Sequence, residues 1–77
     1  MAQESETLDL RGLKCPLPAL FARRALAAAA PGAVLRVLTD DPMAPIDVPH
    51  MCGQEGYEVL AVDKDSAGAR MTLRKPA

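Results

Sequence analysis

The chain has 77 residues, 49% of them hydrophobic and 25% charged, with a formal net charge of −1. A chain this short buries only about 60% of the surface it exposes when unfolded, so one domain is predicted over residues 1–77, with its core between about 8 and 75. The near balance of charge gives no field that would gather nucleic acid, and two cysteines are too few for a disulfide-built scaffold.

The stretch Met1 to Thr7 carries two glutamates where a secretory signal would need basic residues followed by an apolar run. The longest nearly apolar run, Ala25 to Leu35, is interrupted by Pro31 and Gly32 and falls short of the roughly 18 to 20 residues a membrane span requires. A protein of the reducing cytoplasm is expected, with no contact to membrane or directly to nucleic acid.

In chain order, Leu8 and Leu10 alternate with Asp9 and Arg11 and are stopped by Gly12, the pattern of a short strand with one buried face. From Pro16 to Ala30 the chain is rich in Ala, Leu and Arg, which predicts a helix ended by Pro31-Gly32. On a helical wheel Leu17, Leu20, Phe21 and Ala28 share a face, with Arg24 near it and Leu26 opposite.

Residues 34–39, VLRVLT, predict an inner strand, and DDPMAP supplies a turn. In IDVPHMCGQEG a short helix of about two turns is predicted, capped by Asp47, with Pro49 in its first turn and Gly56 at its end. YEVLAVDK (57–64) and ARMTLRK (69–75) predict two strands joined by a DSAG hairpin turn. In the second of these, Ala69, Met71 and Leu73 face the core, while Arg70, Thr72 and Arg74 face water. Only the chain ends look frayed. The order βαβαββ predicts an α/β fold, a two-layer sandwich of a mixed four-stranded sheet with two helices on one face.

The residue that calls for chemistry is Cys15, placed between the first strand and two prolines that frame Leu17. A thiol reacts as thiolate, and a helix N-terminus favours negative charge, so a moderately lowered thiol pKa is expected there. Pro16 and Pro18 remove two first-turn donors and leave amides such as those of Leu17 and Ala19. Lys14 and Arg11 add positive charge, and a moderately acidic thiol suits a group that must both accept and release sulfur.

Free cysteines are among the most buried residue types, so burial as core filler competes with this reading. CPLP lacks the second thiol of a CxxC redox pair. Cys52 is read as buried, with a resolving or second reactive thiol as alternatives. A metal site would need Cys15, His50 and Cys52 with Asp40 or Asp41; the H-x-C spacing matches no standard zinc unit, and neither metal nor cofactor is predicted. His50 reads as a surface or helix-end residue. Asp40 and Asp41 read as turn residues rather than an acid–base pair. Arg11, Arg23 and Arg24, with Arg74 and Lys75, are candidates for a docking surface.

LDLRGLKCPLP, Leu8 to Pro18, resembles the leading motif LDxxGLxCPxP of the TusA/SirA-like family of small sulfur carriers. The resemblance extends through Pro31-Gly32, Asp40 to Pro42 and Asp47 to Cys52, ending near Leu73 to Lys75. It implies the same βαβαββ sandwich and a sulfurtransferase-type persulfide carrier on Cys15. The sulfur would come from a cysteine desulfurase or rhodanese-like donor and pass to an acceptor protein of a sulfur relay. Asp9, Gly12, Pro16 and Pro18 match the motif as shaping residues, with Lys14 beside the thiol. The branch serving tRNA thiolation resembles CPEP; here Leu17 stands at the middle position, so a carboxylate is missing beside the thiol. A regulatory binding module and a redox sensor using Cys15 and Cys52 are the competing functions.

Overall fold

A computed structural model describes residues 5–77. The expected fraying of the N-terminus falls on residues 1–4, outside the described residues. The elements are β1 (Ser5–Asp9), α1 (Leu17–Ala28), β2 (Val34–Thr39), α2 (Ala44–Glu55), β3 (Glu58–Asp65) and β4 (Gly68–Arg74). They form one sheet in the order β1-β2-β4-β3. β1 runs parallel to β2, and β2–β4 and β4–β3 are antiparallel. The predicted α/β fold, with its mixed sheet and two helices, is the one observed.

Period-two patterning divides the sheet as the sequence suggests. Leu35, Val37, Ala69, Met71 and Leu73 are buried under the helices, whereas Arg36 and Arg70 are exposed on the opposite face. Leu26, Val37, Val48, Met71 and Leu73 are fully buried, each stabilising the fold by about 1.5 to 3 kcal/mol relative to exposure. The buried Thr39 hydroxyl donates to the Ala69 carbonyl at 3.2 Å, so it is not stranded in the core.

Two expectations about the helices are corrected. The buried stripe of α1 is Pro18, Ala22 and Leu26, while Leu17 and Leu20 are exposed and Phe21 only half-buried. The face of α1 that meets the sheet and α2 therefore carries Leu26, which lies opposite the expected stripe, together with Pro18 and Ala22. Helix α2 starts at Ala44, earlier than predicted, and holds Pro49 in its interior rather than in its first turn. Its entry is set by Asp41, whose carbonyl accepts the Ala44 N–H at 3.0 Å and whose carboxylate accepts the Met43 N–H at 3.2 Å. Gly56 ends α2 in the left-handed region, φ +81°, as predicted.

The chain end closes the other helix. Lys75 Nζ donates to the carbonyls of Ala27 and Ala29 at 3.0 and 2.8 Å, a cation where the helix dipole is negative. In the hairpin, Asp65 accepts the N–H groups of Ala67 and Gly68 at 2.8 and 3.0 Å. A side chain at Gly68 would run into the Thr39 carbonyl oxygen.

Candidate functional site

Cys15 sits in the loop between β1 and α1, and three contacts shape that loop. Asp9 accepts the Arg11 amide at 3.1 Å and both Nε and Nη2 of its guanidinium at 2.9 and 2.8 Å. This fork draws the Asp9 carboxyl down to about 2. Gly12 turns the chain at φ +89° and donates its N–H to Asp40 Oδ1 at 2.9 Å. Leu13 N–H returns to the Leu10 carbonyl at 3.2 Å. The loop is thereby tied to the end of β1 and to the turn after β2.

The Cys15–Pro16 peptide bond is cis. Pro16 is the residue before the first turn of α1, and Pro18 is buried within that turn. Cys15 itself is exposed, and its Sγ donates to Asp47 Oδ2 at 2.7 Å. Asp47 lies in the first turn of α2, so the thiol is set between the starting turns of two helices rather than at one.

The charge around the sulfur is the reverse of the expectation. The thiol pKa is raised from its ordinary 9.0, first because the Asp47 carboxylate accepts the thiol hydrogen, then through desolvation and the charges of Asp47 and Asp41. The expected cation Arg11 is engaged by Asp9. Of the amides expected to meet a sulfur anion, that of Leu17 donates to the Lys14 carbonyl at 2.8 Å. The missed residue is Asp47. In the sequence it reads as a helix cap, and only the packing of α2 beside the β1–α1 loop brings its carboxylate to the sulfur. The one signal available was its place in the D-x-P-x-x-C stretch, 32 residues from Cys15.

Cys52 is fully buried in the core beside Val48 and Met51, and burial pushes its thiol up to about 11. Lys14 is exposed next to Cys15, and His50 is exposed on α2. Among the described residues no three His, Cys, Asp or Glu side chains are grouped to hold a metal ion. Arg23 and Arg24 are exposed on α1, with the Arg24 guanidinium 5.6 Å from the centre of the Phe21 ring. They line a shallow groove with Leu20, Glu55 and Tyr57, away from the thiol. Among the described residues no helix is long and apolar enough to cross a membrane.

Comparison with known proteins agrees with this architecture. A crystal structure of a SirA-like protein from Desulfitobacterium hafniense superimposes with a TM-score of 0.79 at 29% identity, covering 94% of this chain and 99% of that one. Two proteins of Neisseria meningitidis, from serogroups A and B, each named "Putative sulfur carrier protein", are 54% identical over 56 residues, 73% of this chain and 76% of theirs. The family model described as "Sulfurtransferase TusA" matches residues 6–75, from the first described strand through the Cys15 loop to the lysine that closes α1. By that match the chain belongs to the TusA sulfurtransferase family.

Proposed function

We propose that this protein is a sulfur carrier that holds sulfane sulfur as a persulfide on Cys15. The observation that carries the reading is the contrast between its two thiols. Cys15 is exposed on a loop held by Asp9, Gly12 and two prolines, whereas Cys52 is sealed in the core. A relay thiol must be reached by two partners in turn, and of the two only Cys15 offers that access.

In the proposed cycle Cys15 Sγ attacks the outer sulfur of a persulfide on a donor protein, a cysteine desulfurase or a rhodanese-like enzyme. The donor S–S bond breaks and its electron pair leaves with the donor sulfur, so Cys15–SH and donor–S–SH become Cys15–S–SH and donor–SH. An acceptor thiol repeats the exchange and frees Cys15. Leu17, which follows Pro16 after Cys15 in the chain, exposes apolar surface, which fits a protein acceptor. A redox-sensor role for Cys15 and Cys52 would require α2 to unpack, because Cys52 has no exposed surface.

The test is intact-mass spectrometry after incubation with a cysteine desulfurase, cysteine and pyridoxal phosphate, and in parallel with a rhodanese and thiosulfate. A reductant-sensitive gain of one sulfur atom is expected in wild type and Cys52→Ala and is lost in Cys15→Ser. Equal loading of Cys15→Ser overturns the assignment; loading of no variant by either donor favours a binding module without sulfur chemistry.

A further inference from the structure

Outside the thiol itself, the feature that the proposed cycle leaves unused is the carboxylate bonded to it. Asp47 is half-buried on α2, comes from the opposite half of the chain, and receives the Cys15 thiol hydrogen at 2.7 Å. We propose that Asp47 is a positioning residue that holds the empty carrier as a neutral, oriented thiol and lets go of the sulfur once it is loaded. The part concerning loading rests on the sulfur-carrier reading; the part concerning the empty thiol does not.

The groups facing Cys15 support one direction of effect. From α2 and its entry turn come Asp47 and Asp41, both disfavouring the thiolate. Asp40 is tied to the Gly12 amide, and Arg11 is tied to Asp9. Lys14 is the adjacent cation on the loop, and His50 lies one turn beyond Asp47 on α2, both exposed to water that screens them. A neutral thiol is the poor nucleophile and the slowly oxidised form, so the empty carrier is quiet until a partner covers the site.

Loading changes the acid. The hydrogen of a persulfide sits on the outer sulfur, about 2 Å further out along the new S–S bond. That sulfur is more acidic than a simple thiol, because its neighbour sulfur spreads the charge. Its proton goes to solvent, and the resulting anion cannot donate to the Asp47 carboxylate and is repelled by it. The same carboxylate therefore favours the bonded, inward thiol when the carrier is empty and an outward sulfur when it is full.

The experiment measures the pH dependence of iodoacetamide alkylation of Cys15 in a Cys52→Ala background, native and in urea, with and without Asp47→Asn. In the native protein the midpoint should lie above that in urea, and Asp47→Asn should bring the two together. Alkylation of the native Asp47→Asn variant near pH 7 should rise several-fold, since each pH step of displacement is about tenfold in thiolate. Asp47→Glu should move the profile back towards wild type, an outcome that a purely structural role would not give.

After loading, the ratio of alkylation rates, full over empty, should be larger in wild type than in Asp47→Asn. Native profiles that superimpose with and without the Asp47→Asn substitution overturn the proposal. Should that variant not fold, equal native and urea midpoints in the chain that keeps Asp47 overturn it as well. Failure of Cys15 to load sulfur would remove the carrier reading while leaving the empty-thiol profile as a separate result.

Discussion

Cys52 allows the packing of α2, the helix that carries Asp47, to be tested in numbers. Its side chain has no exposed surface, and burial raises its thiol from 9.0 to about 11. A folded-state value above the unfolded one means that the native core favours the neutral thiol. This contribution is fully present below pH 9.0 and is lost as the pH climbs to about 11. At about 1.4 kcal/mol per tenfold change, that interval bounds the loss at about 3 kcal/mol. The perturbation is Cys52→Ala in a Cys15→Ser background. It removes the titration and costs about 1 to 2 kcal/mol at neutral pH for the vacated sulfur volume. Urea unfolding followed by circular dichroism, repeated at steps from about pH 8 to 11, gives stability curves for both chains. The two chains share every other titratable group, so the difference between the curves isolates the thiol. The Cys52 chain should start the more stable and lose its advantage with rising pH. Parallel curves across the interval would refute the reasoning, because a thiol that ionises equally well folded and unfolded is not sealed in the core.

Two further predictions follow from the same geometry. Leu26→Ala should cost about 2 to 5 kcal/mol because Leu26 is wholly buried, while Leu17→Ala should cost under about 1 kcal/mol; denaturation midpoints that reverse this order would return the buried stripe to the other face of α1. The Asp9 carboxyl should titrate by NMR at about 2, so its stabilising contact with Arg11 is present above the ordinary value of 3.8 and fades as pH falls through about 2. Arg11→Ala should return the midpoint towards 3.8, and a midpoint unchanged by that substitution would place the cause elsewhere.

Much of the architecture is local and was legible in the sequence. Period-two alternation in residues 69–74 marks the buried Met71 and Leu73 of β4 directly, because side chains of a strand can face only two ways. Gly56 and the Pro31-Gly32 pair punctuate the helices because left-handed backbone favours glycine and proline cannot continue a helix. The position of Cys15 between a strand and a proline-framed helix start is legible for the same reason: it depends on residues next to it in the chain.

What the sequence left undecided depends on neighbours far away along the chain. Which stripe of α1 is buried depends on the side of the helix that packs against the sheet and α2, where Pro18, Ala22 and Leu26 lie, and a wheel of one helix does not contain those partners. The electrostatics of Cys15 turned on Asp47, distant in sequence and brought within 2.7 Å only when α2 packs beside the β1–α1 loop. A helix start by itself favours a lowered thiol; the hydrogen bond to Asp47, desolvation and the charges of Asp47 and Asp41 raise it instead. The chain by itself determined its elements, their order and the place of Cys15 between a strand and a helix, because those follow from local backbone preference and patterning. The tertiary structure alone decided the charge that the Cys15 sulfur meets, because Coulomb interactions depend on distance in space rather than on separation along the chain.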